Sequence, residues 1–335
     1  MIVTLTLNPS LDLTYTLAET EVGQVDVHRA TTATIEASGK GVNVSRALHA
    51  HGRPTMAVLP LGGTTGHHLA ELLEAAGVPF RSVAQRSDTR VNTTLAVGGR
   101  HTAKVNGPGG RLTDADLAAL KREVDAALLD AVGDQGEHHD DADDADEELW
   151  LAVCGSLPPG VDPAVVGEFV ALAHARGARC AIDASGPALA AAISAGADLL
   201  APNQLELEEV DAAAAAAASL HDLAAVAVDV AAATGAALLV SLGAQGAFFT
   251  DGSVAIHGHG PALTPVNTAG AGDALLSGWL AGAAAPADRM QRAIRWGRAA
   301  CMSSTTVADP LSDPNPSAQV EIDTIRPRPS GGNRA

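Results

Sequence analysis

At 335 residues with a formal net charge of -18, the chain is long enough for one large α/β core and too acidic to hold nucleic acid or an anionic membrane by charge. Hydrophobic residues make up 47% and aromatic ones 2%, so the core must be Ala, Val and Leu, and stacking platforms for bases are scarce. Cys154, Cys180 and Cys301 lie far apart with no Cys-x-x-Cys pair, which argues against a disulfide framework or zinc ribbon and fits a reducing, cytoplasmic setting.

The N-terminus has no basic start or small-residue cleavage site, and no uncharged apolar run approaches a membrane span, so an unexported protein is expected. Residues 2–7 predict a buried strand, stopped by Asn8-Pro9. Leu13, Tyr15 and Leu17 then alternate with Thr14 and Thr16, as in a strand with one wet face. Similar β-branched patterns over 25–35, 90–97 and 101–105 predict the rest of a small sheet capping a site. Helix and strand alternate elsewhere: helices over 42–50, 66–76, 163–176, 187–195 and 271–284, an alanine-rich helical region from 211, and strands over 55–61, 149–154, 179–183, 199–201 and 237–242. Repeated βα units predict a parallel sheet covered on both faces, with ligands beyond the carboxyl ends of its strands. Residues 133–148 read as a solvated, disordered acidic insertion and 326–335 as a disordered tail, leaving one domain over 1–325 with capping segments near 11–37 and 88–107. Arg289, Arg292, Arg295 and Arg298 recur every three residues and read as a solvated helix.

The strongest chemical signal is Asn267-Thr268-Ala269-Gly270-Ala271-Gly272-Asp273 at the start of a helix. Glycines let the backbone approach a ligand, and the unpaired amides of the first turn form an anion hole. Asp273 stands there as a base for an attacking hydroxyl, or as an acidic residue that merely favours a helix start; the helix should lower its pKa. From Cys180 through Asp288 there is no Lys or Arg, so phosphates bound in that half would rely on backbone amides and a metal ion. Asn203 and Glu206, past a predicted strand end, offer oxygens for Mg2+ or its waters, or else form an ordinary acidic helix start. Ser241, Gly243 and Gly246 read as a strand end entering a hairpin, suited to line a nucleotide.

Cations lie in the N-terminal half. Ser38-Gly39-Lys40-Gly41 lacks the P-loop spacing, but a glycine turn presenting Lys40 and Asn43 suits sugar hydroxyls, or else is a plain strand-to-helix turn with a solvated Lys. Asp12 offers a carboxylate for vicinal hydroxyls, and Arg90 and Lys104 on capping strands suit a substrate phosphate or are equally solvated charges of the sheet.

Six segments in order, Asn8-Pro9-Ser10-Leu11-Asp12, Gly39-Lys40-Gly41-Val42-Asn43, Thr89-Arg90-Val91-Asn92, Gly155-Ser156-Leu157-Pro158-Pro159-Gly160, Pro202-Asn203-Gln204-Leu205-Glu206 and Gly270-Ala271-Gly272-Asp273, resemble the PfkB (ribokinase-like) carbohydrate kinases, in their phosphosugar branch. The resemblance spans Met1 to about Val307. It implies a lidded α/β kinase using ATP and Mg2+, with Asp273 as base and Gly270, Ala271 and Gly272 as the anion hole. It further implies Asp12, Gly39, Lys40, Asn43, Arg90, Lys104 and Ser156 on the sugar phosphate, Asn203, Ser241, Gly243 and Gly246 on ATP, Glu206 and Asn203 on Mg2+ through water, and a homodimer through the lid. The implied reaction takes fructose 1-phosphate to fructose 1,6-bisphosphate. The alternative acceptors are tagatose 6-phosphate, fructose 6-phosphate or an unphosphorylated sugar or nucleoside, and the non-enzymatic alternative is a sugar-phosphate sensor. Ala201 stands where the family usually has Lys, and Ser38 where it usually has Gly.

Overall fold

The computed structural model describes residues 1–18, 27–97, 101–134, 148–308 and 319–325. Its main sheet has ten strands, numbered β1 to β14 together with those of a second sheet, in the order β14-β13-β12-β11-β10-β9-β8-β1-β4-β5. β1 (Ile2–Leu5) is buried throughout and pairs in parallel with β4 (Thr55–Leu61) and β8 (Trp150–Cys154). β5 (Phe80–Ala84), β9 (Arg179–Asp183), β10 (Leu199–Leu200) and β11 (Ala237–Ser241) continue the parallel part. β12 (Ala247–Thr250), β13 (Ala255–His259) and β14 (Glu321–Thr324) close one edge antiparallel.

Successive strand residues feed opposite faces, as the pleat requires. Val3, Leu151, Val153 and Ile182 join one core cluster, while Ile2, Trp150, Ala152 and Ala181 join the other. That two-sided burial explains the continuous apolar runs. Because the chain steps from β1 to β4 on one side and to β8 on the other, the strand order reverses beside β1, the position where such sheets leave a crevice.

The four-stranded second sheet has the order β3-β2-β6-β7, with β2 (Ser10–Leu17), β3 (Ala30–Ser38), β6 (Arg90–Val97) and β7 (His101–Asn106). The strand expected over 25–35 therefore runs later, and residues 19–26 lie outside the described set. β5 and α3 (Asp114–Asp134), absent from the list of expected elements, cover the far edge. Most of the expected insertion lies outside the described residues, but Gly133 and Asp134 end α3, and Glu148 is bonded to Trp150, Arg179 and Arg289. The tail over 326–335 also lies outside them. The alanine-rich region divides into α7 (Ala212–Ala215) and α8 (Leu220–Thr234), because Ser219 caps a new helix by accepting from the Asp222 amide.

The arginine helix, α10 (Pro286–Met302), corrects the reading as a solvated surface at Arg289 and Arg292, while Arg295 is exposed as expected. Arg292 donates from Nε to the Gly278 carbonyl at 2.6 Å and from Nη2 to Gly282 at 3.0 Å. Arg289 is buried and donates to the Ala284 carbonyl and the Glu148 carboxylate. Gly278 belongs to α9 (Ala271–Leu280), and Gly282 and Ala284 follow its end, where carbonyls lack intrahelical donors. Sequence spacing on one helix does not reveal what a neighbouring helix end demands.

Candidate active site

A polar cavity of about 240 Å³ opens at the carboxyl ends of the central strands, lined by Lys40, Asp183, Asn203, Glu206, Gly270, Gly272 and Asp273. A larger cavity of about 420 Å³ shares Ser241, Gly272 and Leu275 with it. Its walls are mostly apolar, including Pro261, Leu263, Pro265 and Ile294, with Gly243, Ala244 and Gly246 at one side. A charged chamber thus adjoins an apolar slot, with Gly272 between them.

Two glycines of the motif serve different ends. Gly270, the N-cap of α9, has φ 77°, and a Cβ there would lie 2.3 Å from the Thr306 carbonyl oxygen, so no other residue fits. A Cβ on Gly272 would meet nothing within 4 Å. Its lack of a side chain keeps cavity volume open beside the first-turn amides.

Asp273 is buried, and its Oδ2 accepts a 2.8 Å hydrogen bond from Asn43 Nδ2. Burial, reinforced by the charge of Asp183, pushes its pKa up to about 7, although Asn43 and Lys40 act in the opposite direction. The expected depression by the helix is therefore reversed, because desolvation and a like charge outweigh it. A carboxylate with a pKa near neutrality is an effective proton acceptor. Asn43 lies on α1 (Lys40–Ala50), which follows Gly39, and its Oδ1 is buried without a partner. Buried polar atoms are normally partnered, so this acceptor beside the acid is an exception.

Lys40 reaches away from the small sheet. Its Nζ donates to Asp183 Oδ1 at 2.6 Å and lies 3.9 Å from Glu206 Oε1. Burial disfavours its charge, but Asp183, Glu206 and Asp273 more than offset this and raise its pKa. The cation expected among sugar hydroxyls thus lines the polar chamber, beside Ala201.

Asn203 and Glu206 form a capping box on α6 (Gln204–Val210): Asn203 Oδ1 accepts from the Glu206 amide at 2.9 Å, and Glu206 Oε2 from the Asn203 amide at 2.8 Å. The helix-start reading is realised, yet both residues also face the chamber. With Asp183 they supply the oxygen donors that suit a hard cation keeping part of its water shell, so the donor set fits Mg2+. Glu206 Oε1, free of the cap, is the better placed oxygen.

On the small sheet, register assigns Asp12, Asn92 and Asn106 to one row and Thr14, Thr94 and Lys104 to another on the same face. Asp12 accepts from Ser10, Asn92 and Ser38 at 2.7 to 2.9 Å. Arg90 donates to the Gly107 carbonyl at 3.0 Å, and burial lowers its pKa against the pull of Asp12. Its Nε is buried with no partner. Lys104 is exposed, four positions further along the ladder, about 13 Å at strand spacing. Ser156 Oγ accepts from Asn8 Nδ2 at 3.4 Å, near the carboxyl end of β1.

Sequence reasoning passed over Asp183, Asn8 and Asn92. Asp183 ends a predicted strand at the carboxyl edge of the sheet, and that position was its available signal. Asn92 sits in the quoted Thr89-Arg90-Val91-Asn92 segment, and only strand pairing shows that it grips Asp12.

Among the described residues no helix is long and apolar enough to cross a membrane. The chain is 32% identical over 337 residues to the 1-phosphofructokinase of Haloferax volcanii, covering 98% of this chain and 100% of that one. It is 32% identical over 317 residues to the ATP-dependent 6-phosphofructokinase isozyme 2 of Escherichia coli, covering 91% and 92%. The crystal structure of Escherichia coli phosphofructokinase-2 in complex with potassium superposes with a TM-score of 0.79 at 29% identity, covering 93% of this chain and 96% of that one. The pfkB family carbohydrate kinase model matches residues 5–317, and with the glycine-opened α9, the buried acid and the two joined cavities, this chain belongs to that family of sugar-phosphate kinases.

Proposed function

We propose that the protein transfers the γ-phosphoryl group of ATP to a hydroxyl of a ketohexose phosphate, with fructose 1-phosphate as the acceptor and fructose 1,6-bisphosphate as the product. The observation that carries this reading is the pairing of Asp273, with a pKa near 7, with the unsatisfied Asn43 Oδ1 at the opening of α9. A sugar hydroxyl bound there gives its proton to Asp273, which Asn43 Nδ2 orients, as its oxygen attacks the γ-phosphorus. The first-turn amides of α9 and the Lys40 ammonium stabilise charge on the transferring group. Adenosine occupies the apolar slot bounded by Gly243, Gly246 and Gly260. Mg2+, when bound through water to Glu206, neutralises phosphate charge.

Asp12, Asn92 and Arg90 hold the sugar phosphate from the small sheet, which closes over the site as a lid. The 1-phosphofructokinase name of the Haloferax volcanii relative, which this chain matches end to end, supports the choice of acceptor. Fructose 6-phosphate is the second reading, favoured by the equally similar Escherichia coli isozyme. The reverse face of the small sheet exposes Ile35, Val91 and Val105, which supports a homodimer formed through it. A panel of ketohexose phosphates assayed with ATP and Mg2+ decides the acceptor. Arg90→Ala should raise KM for the true acceptor about 10-fold or more and leave KM for ATP near its parent value. Faster turnover of an unphosphorylated sugar, or an Arg90→Ala variant with an unchanged KM, would sink the assignment.

A further inference from the structure

The β13–β14 edge of the main sheet carries a cluster of metal-ligating groups outside the polar chamber. His257 and His259 are two apart on β13 and so share a face. Antiparallel register sets Asp323 opposite His257 and Glu321 opposite His259. The two rings stack with centroids 5.0 Å apart, and one donor atom from each of His257, His259 and Asp323 lies within 4.8 Å of the other two. His259 Nε2 is 3.3 Å from Asp323 Oδ2 and 3.8 Å from Glu321 Oε2.

The ordinary explanation is an edge-strand charge pair, but it fits poorly. The two carboxylates face no lysine or arginine on β11 to β14. Two imidazole lone pairs and two carboxylates then form a donor set that seeks a cation. His257 is already oriented as a ligand would be: its Nε2 lies 2.7 Å from the Gln245 carbonyl, which can only accept, so Nε2 carries the proton and Nδ1 keeps its lone pair. That ring is only 9% exposed, so a second proton would be a buried charge.

We infer that His257, His259 and Asp323, with Glu321 in reach, form a binding site for a zinc-class divalent ion, joining the edge strands β13 and β14. Imidazole and carboxylate donors suit zinc, with bonds of about 2.0 to 2.2 Å. Donors in a tetrahedral site stand about 3.4 Å apart, so ion binding requires the half-exposed His259 and exposed Asp323 side chains to turn inward. The His257 bond to Gln245 ties the ion to the turn over Gly243–Gln245, which borders the apolar slot.

The test is equilibrium dialysis of the full chain against Zn2+ in excess Mg2+, with the visible spectrum of bound Co2+ as a second readout. One Zn2+ per chain is expected, with affinity at least 10-fold weaker in His259→Gln and in Asp323→Asn and unchanged in His67→Gln on α2 (Gly63–Ala75). Zinc should also raise the thermal midpoint of the parent and not that of His259→Gln. His259 and Asp323 are not buried, so both strand variants fold, and their metal-free midpoints check this. A parent that retains no zinc, or strand variants that keep its full affinity, overturns the site. No kinase assay enters the measurement, so its outcome is independent of the proposed reaction.

Discussion

The α9 opening and the small sheet present their hydrogen-bond donors by opposite means. At α9 the chain uses backbone amides and removes side chains: Gly272 borders both cavities, and a Cβ there would touch nothing. On the small sheet the donors are side chains, with Asn92, Ser10 and Ser38 all committed to Asp12 and Arg90 half-buried beside them. Fixed amides need no reorganisation when charge develops, which suits the transferring group. Side chains on a separate sheet adapt to an acceptor and can move with it.

The sharpest break in this comparison is Asp273→Asn. It should lower kcat by about 10³-fold, while ATP and sugar phosphate still bind in calorimetry. The same change should stabilise the fold. Because the folded pKa is raised from 3.8 to about 7, ionisation works against folding as pH rises through that window. The gain in unfolding free energy over the parent should therefore be absent below pH 4, grow up to about pH 7 and level off at a few kcal/mol. Near-parental turnover in this variant would remove the base from the mechanism.

Gly272→Val probes the open volume. With no atom within 4 Å of the new Cβ, the fold should survive, while kcat/KM for ATP should fall by about 100-fold as phosphate is displaced. Normal kinetics would mean the phosphate lies elsewhere. A smaller effect is expected on the pH profile: kcat/KM should rise with pH through a midpoint near 7, as Asp273 loses its proton. Asn43→Ala removes the hydrogen bond that favours the ionised form and should move this limb to higher pH. A limb that stays put would separate Asn43 from the base. The smallest effect is on stability alone: Arg292→Met leaves the Gly278 and Gly282 carbonyls without their donor and should cost about 1 to 3 kcal/mol in denaturant melts, with kcat unchanged.

Much of the fold was legible because its signals are local. Apolar runs such as Ile2–Leu5 and Trp150–Cys154 announced buried parallel strands, and Ser10–Leu17 showed its wet face by alternation. The glycine-opened start of α9 before Asp273 was legible for the same reason, since backbone conformation at a helix start depends on neighbouring residues. Boundaries drifted where capping decided them, as at Ser219. Arg289 and Arg292 of α10 were misjudged because their acceptors sit at another helix's end.

By itself, then, the sequence determined the layered α/β architecture, the position of the glycine-opened helix and the identity of its acid, all consequences of periodicity and local backbone preference. Only the tertiary structure decided the chemistry of that acid, because its raised pKa comes from burial and from Asp183, 90 positions away in the chain. The same holds for Lys40, drawn 143 positions across to Asp183, and for Asn43, bonded 230 positions away to Asp273. Electrostatics acts through space and depends on what excludes water, and neither is written in the spacing of residues along a chain.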